Sequence, residues 1–221
     1  MKSVANFFLS IMVSSVLVAD SQTYTINKPN TNLTPLTGPY AILTVNRTSS
    51  TTANITFNSL TNGGYLYLIG DGSSADVNVN AISWAISGLT ASNSISGFTP
   101  GPLSNGGSKN VSSFGIFNQT IDGFDGFTHS ATQLAFTLTN TSGIWSSASN
   151  VLAANDKGYE AAFHAFACPT PGCTPASNNI VTGFAGANLA VPEPGTWLFL
   201  SSALLGFFLI NIKSAFKKPV Y

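Results

Sequence analysis

Charge is scarce in this chain. Only 7% of its 221 residues are Asp, Glu, Lys or Arg, and it carries just two histidines and two cysteines. Between Gln22 and Val191, six acids (Asp71, Asp76, Asp122, Asp125, Asp156, Glu160) stand against four bases (Lys28, Arg47, Lys109, Lys157), a net of −2. So few cations cannot form a basic patch, which argues against nucleic acid as a partner. There is no Gly-x-Ser-x-Gly elbow, and only His129 and His164 could serve as imidazole bases. On a strand, Glu160 and His164 would share a side but lie about 13 Å apart at roughly 3.3 Å per residue, too far for a base and its orienting group. Nucleophilic catalysis finds no support, so the chain reads as a non-enzyme without a cofactor. No internal repeat of fixed period occurs.

What replaces charge is Ser, Thr, Asn and Gly. A surface built from these is solvated by hydroxyls and amides, which suits an exported β-protein. The two cysteines agree. Cys168-Pro169-Thr170-Pro171-Gly172-Cys173 places turn formers between two thiols, and in an oxidising compartment this predicts a local disulfide. A metal site on His164, Cys168 and Cys173 lacks a clear fourth ligand. Asp122 and Asp125, in a glycine-rich stretch, could offer oxygens to Ca²⁺, as could Asp71 and Asp76 across another turn. Neither pair has the spacing of an EF-hand loop, and Asp-Gly is also a plain turn dipeptide, so no metal is assigned. Asn-x-Ser/Thr triplets at Asn32, Asn46, Asn54, Asn110, Asn118 and Asn140 are no more frequent than the abundance of these residues produces by chance.

The middle of the chain is strand-like. Tyr40–Val45, Ala53–Phe57 and Tyr65–Ile69 are rich in β-branched and aromatic residues, and Asn62-Gly63-Gly64 between the last two predicts a hairpin. Asp76–Ala85, Val111–Ile121, Gln133–Thr139 and Tyr159–Ala167 follow with partial or full alternation. Ser146–Asn155 opens with capping residues and predicts one short helix or turn. Thr174–Ala190 reads as a last strand and a linker. Short strands with turn signals between them predict a single all-β domain, a β-sandwich or jelly roll, over residues 22–175, with the last strand and linker over 176–190. Trp84, Trp145, Tyr65 and Tyr67 are the aromatics that a carbohydrate-binding face would need.

The two ends differ from the middle. Lys2, an apolar run from Val4 to Val18, and Ala19-Asp20-Ser21 have the parts of a secretory signal peptide. Ala19 and Ser21 suit the small-residue positions of signal peptidase, predicting cleavage after Ser21, with cleavage after Ala19 as the alternative. At the other end Val191-Pro192-Glu193-Pro194-Gly195 leads into an uncharged apolar stretch from Trp197 to Ile212, followed by Lys213, Lys217 and Lys218. Sixteen residues make a helix of about 24 Å, marginal against a hydrocarbon core of about 30 Å. Trp197 can sit at one interface while the lysines hold the cytoplasmic side. Both ends therefore imply the same orientation, with the middle outside and the C-terminus in the cytoplasm.

These three C-terminal parts, in order and behind a leader, resemble the PEP-CTERM sorting tail of Gram-negative bacteria, whose C-terminal domain is also labelled the ice-binding protein C-terminal domain. The resemblance covers residues 191–221 and implies recognition by an exosortase, a membrane protease-transpeptidase acting near Pro192-Glu193-Pro194. It implies export through the secretory translocon, a transient single-pass stay in the inner membrane, and release to the cell surface or an extracellular polysaccharide matrix. The basic end departs from the usual pattern: its residues are spread lysines rather than an arginine run, and Pro219-Val220-Tyr221 lie beyond them. Thr23/Thr25 and Thr137/Thr139/Thr141 follow no repeat, which argues against ice binding. An exported surface or matrix protein is the resulting expectation. The alternatives are a carbohydrate-binding module or adhesin on the same sandwich and a permanently anchored membrane protein. Similar stretches, among them Gly123-Phe124-Asp125-Gly126-Phe127 and Ala161-Ala162-Phe163-His164, occur in ectodomains attached to this tail and imply a β-rich fold.

Overall fold

The computed structural model describes residues 20–123 and 126–188. Residues 1–19 of the expected signal peptide, the expected sorting motif Pro192-Glu193-Pro194, the apolar stretch Trp197–Ile212 and Lys213, Lys217 and Lys218 lie outside the described residues, as does Asp125.

Two antiparallel sheets pack face to face around one core. The first holds β1 (Asp20–Ile26), β3 (Ala41–Arg47), β4 (Thr52–Ser59), β11 (Gln133–Asn140) and β8 (Trp84–Ser92), in the order β1-β3-β4-β11-β8. The second is built on β12 (Ala161–Pro169) and β13 (Val181–Ala187). The short β2 (Lys28–Pro29) adds outside β13, and on the other side lie β7 (Ala75–Val77), β10 (Gly115–Asp122) and β9 (Ser104–Val111). A hairpin of β5 (Thr61–Asn62) and β6 (Tyr65–Ile69) joins through β6 to β12. The all-β expectation is met, and the topology is that of a sandwich.

The register follows from alternation. Tyr24 and Ile26, Leu43 and Val45, Ile55 and Phe57, and Leu134, Phe136 and Leu138 all point into the core. A one-residue slip in any of these strands would turn its apolar set outward. The residues between them form the outer face, and pairing brings together polar side chains that are remote in sequence. Thr23 lies opposite Thr44 and Thr44 opposite Thr56. Asn46 lies opposite Asn54, whose Oδ1 accepts from Thr137 Oγ1 at 2.9 Å. A hydroxyl and amide surface thus exists without any sequence repeat.

Four expectations are corrected or refined. The stretch 111–121 is not one strand: Val111 ends β9 and Gly115 begins β10, with Ser113 at φ 73° in the turn between them. Asp76–Ala85 is split between the two sheets, because β7 stops at Val77 and β8 begins at Trp84. Over 146–155, where a short helix or turn is expected, the chain forms a single 3-10 turn, Ala148–Asn150, since short-range capping alone does not sustain a longer helix. The hairpin at Asn62-Gly63-Gly64 does not join Ala53–Phe57 to Tyr65–Ile69: β4 lies in the first sheet, and the turn links the two-residue β5 to β6, with both glycines at positive φ (56° and 82°), the backbone a tight two-residue turn demands.

Candidate functional site

The outer face of the second sheet holds a polar cluster under the Asp71–Ser74 loop. Asp71 and Ser73 both adopt left-handed backbone, φ 68° and 54°, a conformation that costs energy in non-glycine residues. The loop is pinned from below. Ser73 N–H donates to Asp122 Oδ1 at 2.9 Å, and Gly123 N–H donates to the Asp71 carbonyl at 3.0 Å. Asp122 Oδ2 also accepts from Lys109 Nζ at 2.5 Å.

His164 stands beside this loop. Its ring stacks on Phe184 with centroids 4.5 Å apart, and Nε2 lies 2.6 Å from the Thr182 hydroxyl. Asp71 Oδ2 is 3.8 Å from Nδ1. Burial lowers the His164 pKa, outweighing the opposing pull of Asp71 and of the Gly70 backbone, so the ring is held neutral. Carboxylate, imidazole and hydroxyl fall in the order of a nucleophilic relay, yet 3.8 Å is beyond hydrogen-bonding range. Asp71 therefore does not fix the ring's tautomer. Glu160, the partner considered from sequence, lies one residue before β12 and is buried.

Asp76 is the most unusual residue of the cluster. It is fully buried, opposite Thr120 in the β7–β10 ladder, and neither of its oxygens accepts a hydrogen bond of standard geometry. Burial pushes its pKa well above the usual carboxylate range and the charge on Asp122 adds to this, while the nearby Ser73 hydroxyl and Lys109 oppose it. The structure brings Asp71, Asp76 and Asp122 into one neighbourhood, which the sequence treated as two separate turns. Lys109 occupies the cationic position beside Asp122. No group of three or more His, Cys, Asp or Glu able to hold a metal occurs among the described residues.

Cys168 and Cys173 form the expected disulfide, with Cα atoms 5.5 Å apart. It packs with Leu68, Phe98 and Phe166 in a small apolar cluster on the outer face of the second sheet. The bond closes a turn at the end of β12, where Thr170 N–H reaches the Gly64 carbonyl at 2.8 Å.

A pocket of about 490 Å³ opens at the opposite end of β12, between the segments Asn78–Ile82 and Asn140–Ile144, with Ala153 at its side. Each wall is fixed by hydrogen bonds. Asn118 reads Val79 as a strand partner would, accepting from its N–H at 2.7 Å and donating to its carbonyl at 2.9 Å. Asn78 Nδ2 donates to Ala153 O and Asn80 Nδ2 to Asn150 O. On the other wall Ser142 N–H and Oγ both donate to Asn140 Oδ1. Ile82 is 93% exposed and Ile144 71%, and both lie on the rim.

The aromatics singled out from sequence do not form a binding platform. Trp145 and Tyr67 are buried, and Trp84 and Tyr65 pack partly against the main core. Sequence reading missed the pocket because its residues, mostly Asn, Ser and Ala, are ordinary turn formers until the two segments meet. Compared with protein-family models, with curated proteins and with solved structures, the chain matches none.

Proposed function

We propose that this chain is an exported bacterial surface or extracellular-matrix protein without catalytic activity, delivered by the secretory pathway and sorted by an exosortase. The observation that carries this reading is the order of parts at the C-terminus: Pro192-Glu193-Pro194, the uncharged stretch Trp197–Ile212, then Lys213, Lys217 and Lys218. The fold supports it in two ways. A disulfide closes one turn, as suits an oxidising compartment, and the outer face of the first sheet presents threonines and asparagines rather than charges.

Signal peptidase, the translocon and the exosortase are the implied processing partners, with the inner membrane as a transient station. Mass spectrometry of the mature protein from a host with and without its exosortase tests the proposal. A C-terminus shortened near Pro194 only when the exosortase is present is the expected result. A chain still carrying Lys217 and Lys218 in both hosts identifies a permanently anchored protein instead. The second reading, a carbohydrate-binding module or adhesin, is favoured by one specific observation, the preformed pocket between Asn78–Ile82 and Asn140–Ile144.

A further inference from the structure

We propose that the pocket between Asn78–Ile82 and Asn140–Ile144 binds an uncharged sugar unit of a polysaccharide; this deepens the carbohydrate-binding reading and rests on it. Its volume, about 490 Å³, is within the range of small-molecule sites. No ionisable side chain is among its lining residues, so nothing there compensates the desolvation of a charged ligand.

The polar groups define what the ligand must offer. Asn78 and Asn80 each donate their amide N–H to a backbone carbonyl, which fixes how both amides face. Each side-chain carbonyl is then left without a donor among the described residues. Asn140 is held the other way round, because its Oδ1 accepts from Ser142 and its Nδ2 is left to donate. Two acceptors and one donor in fixed positions complement hydroxyl groups, which can serve as either. Ile82 and Ile144, both largely exposed, supply apolar rims for the C–H face of a pyranose or the methyl of an N-acetyl group. This mixture of uncharged amides and aliphatic rims matches a neutral sugar ring better than an anionic one.

The pocket is also preorganised. Asn80 N–H donates to Val151 O, Asn78 N–H donates to Glu160 O, and the Trp145 indole N–H donates to Asn80 O. Across the rim, Thr141 N–H donates to Ser83 O and Ser83 N–H to Ser142 Oγ. Binding therefore orders little of the protein, which limits its entropic cost.

The test uses the full chain in detergent micelles, titrated calorimetrically with neutral glucan oligomers, chitin oligomers and a uronic-acid oligomer. Two pocket variants are compared with the wild type. Asn80→Ala removes an acceptor. Gly143→Trp fills the pocket at a glycine whose added Cβ would meet nothing nearer than the Asn140 amide, 3.9 Å away. Ile116→Ser, at another exposed apolar residue outside the pocket, is the control. The expected result is binding of a neutral oligomer, weakened at least tenfold by both pocket variants and unchanged by the control, with no heat from the uronate. Preference for the uronate overturns the inference. Neutral-glycan binding that both pocket variants leave intact overturns this site while the carbohydrate-binding reading stands. No binding of any glycan by a protein that is still exosortase-processed overturns the carbohydrate reading and leaves the sorting proposal intact.

Discussion

The indole of Trp145 donates to the backbone carbonyl of Asn80 at 2.8 Å, joining two segments 65 residues apart. Trp145 is itself buried, and its own N–H donates to Ser50 O at 2.7 Å. One residue thus locks the pocket wall to the core. Replacing it with Phe leaves the Asn80 carbonyl without that donor. The expected loss is about 1–3 kcal/mol of stability, read by urea denaturation, with weaker retention of any pocket ligand.

Asp76→Asn should stabilise the protein at neutral pH. The folded pKa of Asp76 is raised above its unfolded value. Its contribution is therefore full below the ordinary carboxylate pKa and is lost as pH rises through the elevated one. An amide keeps the shape of the protonated acid at every pH. The melting temperature of the variant should exceed that of the wild type at pH 7, and the gap should shrink towards acid. A variant less stable than the wild type at pH 7 would refute the account.

His164 gives the opposite sign. Its folded pKa is depressed by burial, so its contribution is present above the ordinary imidazole pKa and lost as pH falls through the folded value. Thermal melts of the wild type should show destabilisation between about pH 6.5 and the more acidic folded pKa, and His164→Gln should lose part of it.

Reduction of Cys168–Cys173, or replacement of both by Ser, should cost only about 2 kcal/mol, because the closed loop is short and the chain-entropy gain small. The sandwich should survive with unchanged far-ultraviolet circular dichroism. The loss should appear as lower protection of amide hydrogens around Thr170 and Gly64.

Asp20 bears on the cleavage site of the proposed signal peptide. It pairs with Arg47 across β1 and β3, its Oδ1 2.6 Å from the guanidinium, and its Oδ2 accepts from Ala148 N–H at 2.6 Å. Its partial burial alone would raise the pKa, but these two partners outweigh that and hold the carboxyl below its ordinary value. Cleavage after Ser21 would discard Asp20 and strip the largely buried Arg47 of its partner. A chain beginning at Asp20 should melt above one beginning at Gln22, and the difference should vanish in strong acid once Asp20 is protonated.

Much of the first sheet was legible from alternation, since Leu43, Val45, Ile55, Phe57, Leu134 and Phe136 announce one buried face. β9 was not, because Ser104–Val111 is mostly Ser, Asn and Gly and draws its order from pairing with β10. The disulfide was legible because its partners are local. The clustering of Asp71, Asp76 and Asp122 was not, because it depends on a ladder between β7 and β10 more than 40 residues apart. The pocket was illegible for the same reason: Asn78, Asn80 and Asn140 acquire a role only when separate turns converge.

The strand β12 gives the molecule a polarity. Near its start at Ala161, Glu160 N–H meets the carbonyl of Ala187, the last residue of β13, and the Glu160 carbonyl meets Asn78 at the pocket. Asp20 reaches the same pole through Ala148, three residues from the Val151 carbonyl that binds Asn80. The described chain therefore enters and leaves the sandwich at the pocket pole, and the disulfide turn occupies the other. An attachment made at either end of the described chain would therefore sit beside the pocket, with the disulfide turn at the far pole.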